Sequence, residues 1–130
     1  MSDYPDWVED PENGIVSEDV VGQFLYASWG YKQTNIDFAQ VVGITSSGKS
    51  VRVKIVEGTV KSRQTGQDNL APTETPKFEE TVTLRTSCRK GKVHFRGSYP
   101  HTGNGDKRGP ENFYLFDRDS VGQTAHGHRH

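Results

Sequence analysis

The sequence predicts an all-β fold, a small antiparallel barrel that is SH3-like or, as the alternative, OB-like. Apolar and polar side chains alternate with period two from Val51 to Ile55, which is the pattern of a half-buried strand. Short runs rich in β-branched and aromatic residues recur along the chain, separated by turns that contain glycine. No segment combines a capping residue with an apolar stripe of helical period. Hydrophobic residues make up 31% of the 130 residues, so we expect one domain with a small core.

The sequence divides into a barrel domain over residues 20–118 and two polar ends. Residues 1–19 contain seven Asp and Glu residues and no Lys or Arg, so we expect a flexible, disordered acidic arm. Trp7 in this arm could either dock on the barrel or serve as an exposed interaction residue. Residues 119–130 are predicted to be a disordered polar tail that contains histidines.

Six strands are predicted within the barrel domain. Tight turns that contain glycine predict two hairpins, at residues 46–49 and 89–92. Two polar segments that contain proline, residues 62–77 and 100–111, are predicted to be surface loops. The strands are predicted at residues 22–30, 36–44, 50–61, 81–88, 92–99 and 112–117.

The segment WGYKQTNIDF, residues 29–38, is the first candidate binding site. It combines large aromatic rings with amide and carboxylate groups, which is the mixture that a recognition surface needs. Trp29 and Tyr31 would serve as anchors, and Gln33, Asn35 and Asp37 would orient a ligand or partner. The same composition also fits a structural corner, in which the polar side chains bind turn amides. The sequence leaves both interpretations open.

The second candidate is a strongly basic stretch from residue 85 to residue 108, in which Asp106 is the only acidic residue. Basic side chains interleaved with aromatic ones suit single-stranded nucleic acid, because the charges bind phosphates and the rings stack on bases. Phe95 is expected in the core, which weakens the stacking part of this hypothesis, and an ordinary solvated hairpin is the alternative. The acidic arm could also fold over this face and shield it. The candidate nucleic-acid-binding residues are Arg85, Arg89, Lys92, Arg96, Lys107 and Arg108.

Three motifs resemble catalytic or metal sites. Residues 43–50 match the phosphate-loop pattern GxxxxGK[ST], but strongly β sequence follows where that loop needs a helix. Cys88 with His94 or His101 could form a thiol–imidazole pair, although Cys88 equally fits a strand end as a small apolar residue. The alternating histidines of the tail lack a rigid framework for a metal, and whether they bind one is left open. We predict no catalytic residue, no cofactor and no metal site. The tail histidines are His126, His128 and His130.

The composition also bears on the compartment. A single cysteine excludes an internal disulfide, so nothing points to an oxidising environment. The first residues lack the basic and apolar regions of a signal peptide. No apolar run approaches the roughly 20 residues of a membrane span. We therefore expect a cytoplasmic location and no membrane partner.

The segment WGYKQTNIDFAQVV, preceded by FLYAS, resembles a family of small uncharacterised proteins encoded by phages and other mobile elements. Their pattern is a strand, then W-G-Y-x-Q-T-N-x-D-F, then a second strand. The resemblance covers about residues 22–56, and FRGSYP at residues 95–100 is a weaker similarity. It implies a phage or mobile-element origin and transfers no activity.

The function that we expect is that of a non-catalytic binding module. It would be a phage- or plasmid-encoded accessory protein that recognises nucleic acid or a host protein through residues 29–38 and the basic hairpin. One alternative is a structural or assembly protein of a virion, joined through exposed strand edges. The other is a small hydrolase or nuclease acting through Asp37, His94 or His101. The oligomeric state is left open.

Overall fold

The computed structural model describes residues 4–30, 34–64, 66–100, 107–117 and 121–124. Within these ranges the chain forms ten strands and one short 3-10 helix, Glu18–Val20. The strands are β1 Val8–Asp10, β2 Ile15–Val16, β3 Phe24–Trp29, β4 Asn35–Ile44, β5 Ser50–Gln64, β6 Gln67–Pro76, β7 Val82–Arg89, β8 Lys92–Pro100, β9 Lys107–Leu115 and β10 Val121–Thr124.

Six of these strands close into an antiparallel barrel. The order around it is β5, β4, β3, β9, β8, β7, and β7 pairs with the first part of β5 to complete the circuit. Neighbouring strands of the barrel are consecutive in the chain, except that β6, which lies outside the barrel, comes between β5 and β7. The barrel is therefore an up-and-down meander. The predicted all-β class and small antiparallel barrel are confirmed. The consecutive strand order differs from the Greek key of a five-stranded OB barrel.

The inner face of the barrel holds the main core at alternate strand positions, as the period-two pattern predicts. On β5, Val51, Val53 and Ile55 are buried, whereas Arg52 is exposed. Close approach between β7 and β8 depends on Gly97, because a Cβ added there would lie 2.8 Å from Leu84 Cδ2 and 2.9 Å from the carbonyl oxygen of Thr83. The largest side chains that are fully buried in this core are Tyr99, Phe95, Phe113, Leu25, Ile55 and Leu84.

The N-terminal segment is part of the folded domain. Val8 pairs with Val16 in a short hairpin, and the amide of Val16 donates to the carbonyl of Gly48 at 2.8 Å. Trp7, Val16 and Val20 are all buried in the main core, which they close at one end of the barrel. The prediction of a flexible acidic arm over residues 1–19 is therefore wrong for residues 4–19. Acidic residues dominate the composition of this segment, but the apolar residues between them pack inward. Trp7 therefore docks on the barrel.

The predicted loop at residues 62–77 is also largely wrong, because most of it is strand. β5 continues beyond the barrel and pairs with β6 from Gly58–Pro72 to Gln64–Gln67. Pro72 and Pro76 suggest a loop, but both pair with β5 next to register shifts, where proline is tolerated. The backbone of β10 then pairs with β6, so Val121–Thr124 of the predicted disordered tail is strand instead. Residues 119–120 and 125–130 lie outside the described residues.

Candidate nucleic-acid interface

The outward faces of β7 and β8 carry four exposed cations, which we call the basic surface: Arg85, Arg89, Lys92 and Arg96. In the register of this hairpin Arg85 lies opposite Arg96, and Arg89 lies opposite Lys92. Like charges that face each other directly across a sheet are destabilising. A bound polyanion would relieve this repulsion.

The basic surface lies on strands that carry no acidic residue. β7, β8 and the part of β5 from Ser50 to Lys54 contain no Asp or Glu. Arg52 extends the positive charge onto β5, where it pairs with Thr83 of β7. Arg96 donates to Oδ1 of Asn112 at 3.0 Å, which directs its guanidinium toward β9. The positive charge therefore borders the outer face of β9.

Aromatic rings continue from the basic surface across β8, β9, β3 and β4, and we call them the aromatic row: His94, Tyr114, Tyr26, Phe116 and Phe38. The ring centroids of His94 and Tyr114 are 6.1 Å apart, and those of Tyr114 and Tyr26 are also 6.1 Å apart. Phe116 lies 6.5 Å from Tyr26 and 5.7 Å from Phe38. Tyr114 is 43% exposed, so part of its ring is open to a ligand.

Two features of the fold fix the aromatic row. Barrel closure pairs β9 with β3 and puts Tyr114 directly opposite Tyr26. At the other end of the row, Phe38 is buried in a second apolar cluster on the outer side of β4. β5 supplies Val56 and β6 supplies Leu70 to that cluster. The row thus runs from a fixed, buried end to an exposed one.

A cleft of about 380 Å³ adjoins the exposed end of the aromatic row. Tyr26 and Tyr114 line it, together with Lys92 of the basic surface and Asp117, which follows β9. A volume of this order is at the small end of the range for ligand sites in proteins. Stacking surface, positive charge and a carboxylate thus meet in one cleft.

The described residues of the first candidate site, 29–30 and 34–38, lie where β3 ends and β4 begins. Oδ2 of Asp37 accepts a hydrogen bond from Nε1 of Trp29 at 2.6 Å and another from the hydroxyl of Tyr99 at 2.6 Å. Nδ2 of Asn35 donates to the carbonyl of Trp29 at 3.5 Å. These contacts join β3, β4 and β8, and they bring the WGYKQTNIDF motif together with FRGSYP. The geometry favours the structural-corner interpretation for Trp29 and Asp37.

Several predicted site residues, or their side chains, lie outside the part of the chain that the structure describes. Tyr31 and Gln33 lie outside the described residues, as does His101. The backbones of Lys107 and Arg108 pair with Pro100 and Tyr99 at the start of β9, and their side chains lie outside the described set. The basic surface therefore consists of the other four predicted cations.

The two catalytic-looking motifs have structural explanations. Residues 43–50 form the end of β4, a turn and the start of β5, with no helix to hold a phosphate. Cys88 packs against the main core, whereas His94 lies on the outer face beside Tyr114, so the two do not form a pair. Burial, with a smaller contribution from the Asp10 charge, raises the pKa of the Cys88 thiol. A raised pKa is the opposite of what an activated cysteine needs.

Sequence reasoning missed the two neighbouring tyrosines on the outer face, Tyr26 and Tyr114. In FLYASW and NFYLFD apolar residues occur on both alternating faces, so each strand has a second, partly nonpolar face. That pattern indicates that Tyr26 and Tyr114 point away from the barrel interior. The pattern does not indicate that the two tyrosine rings lie next to each other. Phe95 is fully buried, as expected, whereas the ring of Tyr114 is 43% exposed on the outer face.

Comparison with protein-family models, curated proteins and solved structures found no match. Among the residues that the structure describes, no group of three or more His, Cys, Asp or Glu side chains is arranged to hold a metal ion. The tail histidines lie outside this set. Within the same part of the chain, no helix has the length and apolar character to cross a membrane.

Proposed function

We propose that this protein is a non-catalytic module that binds single-stranded nucleic acid on the outer face of β7, β8, β9 and β3. The observation that carries the proposal is the aromatic row, which lies directly beside the basic surface. The strands of the basic surface, β7 and β8, contain no acidic residue. Phosphates would bind along the basic surface, and unpaired bases would stack on Tyr114 and its neighbours in the row.

The basic surface supports affinity for a polyanion. Its four cations are exposed, and their mutual repulsion is relieved when phosphates bind between them. Each neutralised phosphate releases a counterion, so the affinity falls as the salt concentration rises. The near-neutral net charge of −1 does not oppose this, because a local surface attracts a ligand through its own potential.

The aromatic row favours single strands over duplexes. In a duplex the base faces are stacked on each other and closed to protein side chains. An exposed ring such as that of Tyr114 stacks on any unpaired base and contributes about 1–3 kcal/mol per base. The cleft beside Tyr26 and Tyr114 offers room for a base turned away from its neighbours.

We further propose that the module is an accessory protein of a phage or plasmid and acts in the host cytoplasm. The WGYKQTNIDF motif supports the origin. The single thiol, Cys88, supports a reducing compartment, since no disulfide stabilises the fold. A host protein that binds at residues 29–38 is the competing partner, and the binding experiment distinguishes the two.

The test is fluorescence anisotropy with labelled single-stranded and double-stranded DNA and RNA between about 50 and 200 mM salt. We expect tighter binding of single strands, and a log–log salt slope of about −3 if the four cations neutralise four phosphates. Reversal of charge at Arg89, Lys92 and Arg96 should weaken binding by more than roughly tenfold. Tyr114→Ala should weaken it by about 1–3 kcal/mol with little change of slope.

A matched control reverses three cations elsewhere. Lys61, Arg63 and Lys77 are exposed residues on β5 and just beyond β6, so their reversal changes the net charge equally but leaves the basic surface intact. This control should bind almost as the wild type does. Equal losses in the two triple variants, or no binding at low salt, would refute the proposal and direct attention to a protein partner.

A further inference from the structure

We propose that the cleft lined by Tyr26, Tyr114, Lys92 and Asp117 is a subsite for one unstacked guanine base of the bound strand. This inference rests on the proposed function and adds a sequence preference to it. The argument begins with Asp117, because a carboxylate beside a surface that binds phosphates weakens binding unless it makes a specific contact.

The walls of the cleft divide into groups that bind any base and groups that distinguish bases. Tyr26 and Tyr114, with centroids 6.1 Å apart and planes tilted by 47°, present ring surface to which every base can stack. Asp117 and Lys92 are the charged groups on the walls of the cleft. The carboxylate of Asp117 only accepts hydrogen bonds, and the ammonium group of Lys92 only donates them.

Guanine matches this pair of groups best among the bases. Its Watson–Crick edge presents two adjacent donors, N1–H and the N2 amino group, which a carboxylate can accept together with its two oxygens. Next to them O6 is an acceptor for an ammonium group. Adenine and cytosine place an acceptor beside their amino group, which would face the carboxylate. Uracil and thymine offer one N–H flanked by two carbonyl oxygens.

The cleft lies next to the basic surface, along which the bound nucleic acid would run. Lys92 belongs to the basic surface, so a nucleotide in the cleft stays connected to phosphates on β7 and β8. Asp117 is exposed and directly follows Phe116, whose amide donates to the carbonyl of Phe24 at 2.8 Å. This bond fixes the backbone on which Asp117 stands. The carboxylate is thus held at the rim of the cleft.

The test compares single strands of about twelve nucleotides, the length scale of one small barrel's site, that differ at one central position. The strand is deoxythymidine throughout, with guanine, hypoxanthine or thymine in the centre. We expect the wild type to bind the guanine strand roughly tenfold more tightly than the thymine strand, as for a bidentate base contact. Hypoxanthine lacks the N2 amino group and should lose most of the preference.

Variants separate the carboxylate contact from a general effect of charge. Asp117→Asn should bind the guanine and thymine strands equally. Asp19→Asn removes the same charge from an exposed position on the 3-10 helix and should keep the preference. A preference that persists in Asp117→Asn, or equal binding of the strands by the wild type, would overturn the guanine subsite. If the single strands still bind, and charge reversal at Arg89, Lys92 and Arg96 lowers their affinity, the proposed function stands. If no strand binds, both proposals fail.

Discussion

Replacement of Asp37 with alanine should lower the free energy of unfolding by about 3–4 kcal/mol. Oδ2 of this carboxylate accepts two hydrogen bonds, from Trp29 Nε1 and from the Tyr99 hydroxyl, both at 2.6 Å. A hydrogen bond to a charged group contributes about 1.5–3 kcal/mol, and two bonds to one atom share its charge, so the sum falls below twice the upper value. Tyr99 is only 1% exposed, which puts its hydroxyl beyond ready access to water.

A double-mutant cycle isolates the Asp37–Tyr99 contact. Tyr99→Phe alone should cost about 1.5–2 kcal/mol, because it removes one bond and keeps the ring in the core. In the Asp37→Ala background the same change should cost much less, which gives a coupling energy of about 1 kcal/mol or more. Urea denaturation followed by tryptophan fluorescence measures all four proteins.

The control for this cycle is Asp19→Ala, which removes an exposed carboxylate and should change stability by less than about 0.5 kcal/mol. A coupling energy near zero would refute the reasoning, since it would mean that the hydrogen bonds do not stabilise the corner. A stable Asp37→Ala protein with altered ligand binding would instead support the recognition interpretation of residues 29–38.

Three further predictions concern the core and its thiol. Thr86→Val should raise stability by about 1 kcal/mol in urea denaturation, because Thr86 Oγ1 is buried without a hydrogen-bond partner among the described atoms; a loss would show that the hydroxyl is satisfied. Trp7→Ala should lower the free energy of unfolding by about 3–5 kcal/mol, since Trp7 is 8% exposed and packs on Phe95. An unchanged midpoint of urea denaturation would instead support a flexible N-terminal arm. Cys88 should react with iodoacetamide more slowly than in the unfolded chain near pH 8, because burial raises its pKa in the folded state. By the same shift the unfolded chain ionises first, so stability should fall as the pH rises above the ordinary thiol pKa; a faster folded-state reaction would contradict both.

The sequence predicts local strands well because their information is local. Val51, Val53 and Ile55 alternate with polar residues, and that pattern alone defines the first part of β5 and its buried face. The turn at residues 89–92 is equally local: Lys90 and Gly91 have φ values of 52° and 80°, the positive values that a tight hairpin turn requires.

The errors arise where neighbours in space decide the structure. Prolines and polar residues in β6 predict a loop, but β5 is long enough to pair with them beyond the barrel. Acidic residues dominate the count in the N-terminal segment, yet burial depends on the few apolar residues, such as Trp7. In both cases composition was misleading because a long-range partner supplied the stability.

The candidate interface is the least predictable part for the same reason. Four of its cations can be found from the sequence as a basic stretch. The contact of Tyr26 with Tyr114 joins residues far apart in the chain and exists only because β9 closes on β3. The hydrogen bond between Asp37 and Tyr99 likewise spans 62 positions, and no pattern of local period reveals it.

The closure between β3 and β9 is short, and this gives the barrel a weak seam. Its register consists of Leu25 with Leu115 and Tyr26 with Tyr114, and the Phe116 amide adds one bond to the Phe24 carbonyl, whereas β8 and β9 pair from His94 to Pro100. Local opening should therefore begin along this seam, where the fewest backbone hydrogen bonds must break. A ligand stacked on both tyrosines would hold the two strands together. Hydrogen exchange at the amides of Tyr26, Tyr114 and Phe116, which face the opposite strand, should therefore slow when the nucleic acid binds.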